Sequence, residues 1–109
     1  MAWLLRGGDV LASVDLARSW RHRASGLMGK RSYEGAMLLE PCRAVHTIGV
    51  RFPIDVAFLD GRRVVVAMTR MEPNRVGMPR RSARSVVEAP AGAFERWKLA
   101  LGDELEIKD

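Results

Sequence analysis

The sequence IDVAFL-DG-RRVVVAM, residues 54–68, decides the fold, because it carries the pattern of a β-hairpin. Two runs rich in β-branched and aromatic residues flank Asp60-Gly61, and an Asp-Gly pair between such runs is a strong signal for a tight turn. The spacing predicts strands over 54–59 and 62–68. Alternation along each strand then predicts the buried side chains Val56, Phe58, Val64 and Val66.

The residues before the hairpin predict a strand, a helix and a second strand. Residues 10–16 alternate between apolar and polar, which predicts a strand with one apolar face, made of Val10, Ala12, Val14 and Leu16. Ser19 is a suitable N-cap for a helix over 19–29, whose apolar side is formed by Trp20, Ala24, Leu27 and Met28. The short apolar run 35–39 predicts a buried strand that Pro41 ends.

The residues after the hairpin predict a loop, a strand, a short helix and a closing strand. The polar segment 74–84 contains glycine and proline and predicts a long exposed loop. Residues 85–89 predict another strand, and 90–99 predict a short helix that buries Phe94 and Trp97. The strand over 104–108 directs Leu105 and Ile107 inward.

These elements predict the fold class α+β, with a mostly antiparallel, barrel-like β-sheet and two short helices. The 109 residues suit one domain spanning 1–109, and a chain of this length needs no metal or disulfide to fold. Most methionines, including Met28 and Met37, are expected to fill the core.

The composition of the chain excludes some classes of protein. No apolar run of about 18 residues exists, so no membrane span is expected. The N-terminal apolar stretch is too short for a secretory signal, which makes the cytoplasm the expected location. Cys42 is the only cysteine, so no intrachain disulfide forms, and no thiolate-rich metal site is expected. We expect neither a metal nor a cofactor.

The charge is basic and uneven. The net charge is +5, with the positive residues concentrated in 18–31 and 61–84, while 85–109 is acidic. Such asymmetry suggests a nucleic-acid partner. The aromatic residues that single-strand binders interleave with basic ones are missing, so a solvated arginine-rich surface is the preferred interpretation.

Four side chains have chemistry that could form a site. Cys42 and His46 have a Cys-x3-His spacing, which suits a nucleophile with its base, oriented by Asp55. The alternative is an inert cysteine beside a hydrogen-bonded histidine. Asp55 and Glu88 lie in apolar strand segments and would suit acid–base work as a pair, or would point to solvent or pair with arginines.

The motifs resemble those of the bacterial and archaeal family called domain of unknown function 192. Residues 23–28, RASGLM, resemble its R-x-x-G-L-M signature. Its other blocks resemble, in order, GAMLL (35–39), VHT (45–47) with FPIDV (52–56) and FLD (58–60), VVEAPAG (86–92) and GD (102–103). The resemblance spans about residues 10–107. It implies a β-rich domain with a short helix near each end and no known activity, and it directs attention to His46, Thr47, Asp55 and Glu88.

A binding module is the leading functional hypothesis. A cleft at segment 41–55 is predicted to hold a small molecule or a partner peptide, with the site residues Cys42, His46, Thr47, Asp55 and Glu88. His46 and Asp55 are predicted to lie together at its mouth. His46 bonded to a backbone carbonyl, as a loop anchor, is the structural alternative. An enzyme using Cys42/His46 or Asp55/Glu88, and a basic nucleic-acid-binding module, are the other two hypotheses.

Overall fold

The computed structural model describes the backbone of residues 1–109 and every side chain except that of Trp20. Over these residues the chain forms one mixed sheet and two short helices. In chain order the elements are β1 (Ala2–Arg6), β2 (Asp9–Ala17), α1 (Trp20–Ser25), β3 (Ala36–Leu39), β4 (Ile54–Leu59), β5 (Val65–Met71), β6 (Ser85–Pro90), α2 (Ala93–Trp97) and β7 (Leu105–Lys108).

The seven strands follow the order β5-β4-β6-β3-β2-β1-β7. The pairing of β2 with β3 is parallel and the other ladders are antiparallel. The two edge strands approach each other at one end, where Val64 bridges Glu104 and the Val65 amide donates to the Asp103 carbonyl at 2.8 Å. The sheet therefore curls into a half-barrel, which gives an α+β fold that is mostly β and mixed rather than purely antiparallel.

Two apolar cores lie on the two faces of this sheet. The inner core is enclosed by the curl and includes Leu4, Leu38, Leu59 and Val87, with Phe94 of α2 packed at one end. The outer core lies on the opposite face of β3, β4 and β6 and includes Met37, Val56, Phe58 and Val86. An outer layer made of residues 18–31, 41–53 and 72–84 covers this second core with α1 and two long loops.

The predicted hairpin is present as β4 and β5, with a longer turn than expected. The Arg63 amide donates to the Asp60 carbonyl at 2.9 Å, and Arg63 has a positive φ of 60°. This extra left-handed residue makes a bulged three-residue connection instead of a two-residue turn. A second irregularity follows within β5, because Leu59 pairs with Val65 but Phe58 pairs with Ala67. Val65 is therefore buried at 1% exposure, while Val66, expected inside, is exposed at 36%.

Other elements differ from the sequence prediction in detail. The first strand, β1, was not predicted, and its register with β2 shifts between Leu4 and Leu5, which leaves Val10 exposed. Ser19 does cap α1, but the helix ends at Ser25 rather than near residue 29. Met28, expected in the core, is 43% exposed. The apolar position assigned to Trp20 falls on a side chain outside the described residues. No helix among the described residues is long and apolar enough to cross a membrane.

Candidate functional site

Glu88 is a buried carboxylate beneath the outer layer. In β6 it lies opposite Val56, on the face of the outer core, and its exposure is 3%. Gly26, just after α1, lies against it, since a Cβ built on Gly26 would be 3.1 Å from Oε1. Gly26 also has φ 46° and ψ −120°, a conformation that residues with a side chain avoid. Burial raises the pKa of Glu88 to about 7, so this group changes charge near neutral pH.

Cys42 is a protonated thiol without an activating base. Its Sγ lies 3.0 Å from the Ala44 carbonyl, to which the thiol donates, and burial raises its pKa. The thiolate is the reactive form of cysteine, so this environment opposes nucleophilic chemistry. The nitrogen atoms of His46 contact other groups. The Cys–His dyad considered from the spacing is therefore not formed.

His46 anchors one loop of the outer layer. Its Nε2 lies 3.1 Å from the Ala24 carbonyl, and its Nδ1 accepts from the Ile48 amide at 3.3 Å. Because Nδ1 is an acceptor, the proton sits on Nε2, which donates to the end of α1. The backbone of His46 also forms a bridge with Val76. This is the loop-anchor alternative considered from the sequence, in which the imidazole binds a backbone carbonyl.

Thr47 joins the two long loops of the outer layer. It is fully buried, and its hydroxyl donates to the Glu72 carbonyl at 2.6 Å and accepts from the Arg75 amide at 2.8 Å. Its amide donates to the Arg75 carbonyl at 2.7 Å, and its carbonyl accepts from the Asn74 amide at 2.8 Å. Each polar group of Thr47 is thus used within the fold.

Asp55 lies on the other face of the sheet from Glu88. Alternation along β4 places Asp55 opposite to Val56, which packs in the outer core. One carboxylate oxygen accepts from Arg70 Nε at 3.0 Å, and the other accepts from the Gly92 and Phe94 amides at 2.9 and 3.2 Å. Asp55 therefore holds the start of α2 against β4.

The structure brings together only some of the five predicted site residues. Four of them lie beneath or within the outer layer, namely Glu88, Cys42, His46 and Thr47, while Asp55 lies on the inner side of the sheet. The predicted pairing of His46 with Asp55 at the mouth of a pocket is wrong, because His46 lies in the outer layer and Asp55 on the inner side of the sheet. The Asp55/Glu88 acid–base pair is also not formed, because strand alternation places these two side chains on opposite faces. The described residues contain no group of three or more His, Cys, Asp or Glu that could hold a metal ion.

A cleft of about 450 Å³ lies between β2 and α2, and sequence reasoning did not find it. Its walls come from three places, namely residues 11–13 of β2, residues 33–35 before β3, and Pro90, Ala93, Arg96 and Trp97. The Trp97 ring lies 5.5 Å from the Phe94 ring, which fixes one aromatic wall. Sequence reasoning did not recognise β1, so a free side of β2 was not expected.

The free side of β2 forms the floor of this cleft. Residues 9–14 of β2 pair with β1, but the ladder with β3 begins only at Val14. Gly35, next to β3, lies so close to Ser13 that an added Cβ would be 2.7 Å from the Ser13 carbonyl oxygen. The stretch from Asp9 to Ser13 therefore has a strand partner on one side only. Within it, residues 11–13 line the cleft.

A second cleft continues the first past a shared ridge. It has a volume of about 290 Å³ and is lined by Arg31, Ser32, Phe52, Pro53 and Ala91. Both clefts are also lined by Tyr33 and Pro90. The Tyr33 hydroxyl bonds to Asp15 and lies 3.2 Å from the Ala36 carbonyl, which holds the ring between the two clefts.

Comparison with known proteins places the chain among uncharacterised relatives. A family model described as DUF192, "Uncharacterized ACR", matches residues 3–107. A UPF0127 protein of Pyrococcus furiosus is 31% identical over 106 residues, covering 93% of this chain and 91% of that protein. A UPF0127 protein of Pyrococcus abyssi is 30% identical over 98 residues, covering 85% of this chain and 84% of that protein. None of these names assigns an activity.

Two solved structures share the fold. A protein of unknown function from Novosphingobium aromaticivorans matches with a TM-score of 0.81 and 20% identity over 96% of this chain and 82% of its own. A putative transcription regulator from Sinorhizobium meliloti matches with a TM-score of 0.81 and 21% identity over 96% of this chain and 90% of its own. At these identities the likeness shows the fold alone.

Proposed function

We propose that this chain, which belongs to the DUF192 family, is a binding module that holds an extended peptide segment in the cleft between β2 and α2. The observation that carries the proposal is the unpaired side of β2 at the floor of that cleft. An extended peptide satisfies such an edge by adding a strand to the sheet. The peptide hypothesis drawn from the sequence is kept, and its site moves from segment 41–55 to this cleft.

The dimensions of the cleft suit a short strand. The unpaired stretch Asp9–Ser13, of which residues 11–13 line the cleft, spans five residues, which corresponds to about 16 Å of extended chain. The volume of about 450 Å³ lies within the range typical of ligand sites, and the adjoining cleft extends the groove beyond Tyr33. A peptide of roughly five residues would thus lie along β2.

The side walls supply recognition groups of two kinds. Trp97, Tyr33 and Pro90 offer apolar and aromatic surface for the side chains of the peptide. Arg96 and Glu34 are exposed at the rim, where they interact with charged groups of a peptide. Backbone pairing provides affinity for any extended chain, and these walls select among sequences. The cytoplasm remains the proposed location, and a single unpaired cysteine is compatible with its reducing conditions.

Selection from a library of random peptides of about eight residues, followed by fluorescence anisotropy with the selected peptide, tests this function. Trp97→Ala is expected to weaken binding by about tenfold or more, because an aromatic wall is lost. Ala12→Phe is expected to abolish it by filling the cleft. Trp3→Ala is the matched control, since Trp3 is 40% exposed and outside the cleft, and it should bind like the wild type.

Hydrogen exchange separates strand addition from other modes of binding. The bound peptide is expected to slow exchange of amides within residues 11–13, because these groups become hydrogen-bonded. Thermal unfolding shows whether each variant remains folded. The proposal fails if folded Trp97→Ala and Ala12→Phe variants bind the peptide as the wild type does, or if protection appears only elsewhere in the chain.

A further inference from the structure

The outer layer, residues 18–31, 41–53 and 72–84, concentrates the positive charge of the protein. It contains eleven of the eighteen basic residues and, in Glu72, one of the thirteen acidic residues. The rest of the chain therefore holds seven basic and twelve acidic residues. None of the eleven forms an ion pair with a described residue, because the three described pairs use Arg6, Arg63 and Arg70.

Backbone hydrogen bonds join the three segments into one surface. The Gly29 amide donates to the Gly49 carbonyl at 3.0 Å, which links the α1 segment to the first loop. The Arg80 amide donates to the Arg43 carbonyl at 2.9 Å, which links the two long loops. The arginine-rich region 18–31 and the 72–84 part of the second region, 61–84, thus lie in the same layer, whereas Arg62, Arg63 and Arg70 lie outside it. This is the geometric condition that an anionic partner requires.

Four apolar side chains are exposed within this basic surface. They are Met28, Ile48, Val76 and Met78, with exposures of 43%, 50%, 75% and 81%. Met28 packs at Gly49, where an added Cβ would be 2.7 Å from Met28 Cγ, and the backbone of Val76 bridges that of His46. These residues form an apolar patch, and exposed apolar groups that are rimmed by charge mark interaction sites.

The combination of charge and apolar groups favours one kind of partner. Protein interfaces are enriched in methionine and arginine, and methionine adapts its shape to the surface that it contacts. A nucleic acid would use the arginines through its phosphates but would leave the apolar patch without a matching surface. Interfacial membrane binding relies on larger apolar groups such as Trp, Phe and Leu, while the patch offers Met, Ile and Val.

We propose that the outer layer is a docking surface for an acidic amphipathic segment of another protein. Aliphatic side chains of the segment cover the apolar patch, and its carboxylates face the surrounding arginines. These include Arg81, three residues after Met78, and Arg43, whose carbonyl accepts from the Arg80 amide. The surface is separate from the cleft between β2 and α2, so this interaction does not depend on the function proposed for that cleft.

Defined probes test the proposal by fluorescence anisotropy. The main probe is a helical peptide of about 20 residues with Glu on one face and Leu on the other. A scrambled peptide of the same composition, a duplex DNA of similar length and vesicles of phosphatidylglycerol and phosphatidylcholine are the comparison probes. The amphipathic peptide is expected to bind about tenfold more tightly than the scrambled one, and the affinity is expected to fall as salt rises.

Variants locate the binding on the outer layer. R43E/R81E is expected to weaken binding about tenfold or more by reversing two charges, and V76S/M78S about fivefold by removing the apolar contact. Arg62→Glu and Leu101→Ser are matched controls, because both residues are exposed and outside the outer layer. Trp97→Ala is expected to leave this affinity unchanged even if it abolishes peptide binding in the cleft.

Several results would overturn the proposal. Equal binding of the amphipathic and scrambled peptides would show attraction between charges without docking. Tighter binding of DNA or vesicles than of the amphipathic peptide would assign the surface to a different partner. Self-association that R43E/R81E abolishes would assign it to a second copy of this chain. Equal losses in the control variants would show that the binding lies elsewhere.

Discussion

Glu88→Gln is expected to raise the unfolding free energy of the protein at neutral pH and above, because it removes a buried group that becomes charged there. Burial raises the pKa of Glu88 from 4.5 to about 7, so the folded protein binds this proton more tightly than the unfolded chain does. The contribution of the neutral carboxyl to stability is therefore complete below about pH 4.5 and is lost as the pH rises through about 7. The difference corresponds to about 3 kcal/mol of unfolding free energy, since each tenfold change in proton affinity is worth about 1.4 kcal/mol.

The glutamine variant has no proton to lose and nearly the same shape. Its unfolding free energy is expected to exceed that of the wild type by about 2 to 3 kcal/mol at about pH 8 and to match it within about 1 kcal/mol at about pH 5. Urea unfolding monitored by tryptophan fluorescence between these pH values measures the unfolding free energy of both proteins. Glu95→Gln, at an exposed carboxylate, is the control. A constant difference between wild type and Glu88→Gln across this range would refute the reasoning.

Three further variants or reactions test the other buried polar groups. Asp55→Ala is expected to lower the unfolding free energy by about 2 to 3 kcal/mol, since it removes the acceptor for the first amides of α2. Urea unfolding measures this, with Glu95→Ala as the control, and an effect of Asp55→Ala as small as that of the control would contradict the prediction. Thr47→Val is expected to cost about 1 to 3 kcal/mol by leaving the Arg75 amide unpaired, whereas unchanged urea stability would show that the hydroxyl is dispensable. Iodoacetamide is expected to alkylate Cys42 about tenfold more slowly in the folded protein than in urea, because burial raises the pKa of the thiol. Equal alkylation rates in the two states would argue for an activated cysteine.

The sequence predicts local elements well and their register less well. The turn of the β4–β5 hairpin and the N-cap at Ser19 depend on interactions within a few residues, and both are present. The strand over 36–39 is also present, because its short apolar run suits a strand buried on both faces. The predicted burial of Val66 was wrong because the register of β5 against β4 shifts by one residue at Val66, and no residue type at that position signals a bulge. The first strand was missed because its residues 2–5, AWLL, form a short apolar run without alternation, which does not distinguish a strand from other buried segments.

The separation of Asp55 from Glu88 follows from a non-local pairing. Asp55 and Glu88 each lie in a strand with clear alternation. Whether their side chains lie on the same face depends on the register between β4 and β6, in which Asp55 lies opposite Ala89 and Glu88 lies opposite Val56. A shift of one residue would place both carboxylates on the same face. The sequence contains the two strands but no local signal for the register between them, so the acid–base pair could not be tested before the structure.

The hydrogen bonds of the polar motif residues favour a ligand site elsewhere in the molecule. His46, Thr47 and Asp55 use their polar atoms on backbone groups of other segments, so a ligand would have to break those bonds to engage them. Breaking a buried hydrogen bond costs about as much as a new one contributes, so no net affinity results. The unpaired side of β2 has no such internal partner among the described residues, and its N–H and C=O groups can be bonded without loss elsewhere. A binding site is therefore expected at that strand edge rather than at the polar residues that the family motifs single out.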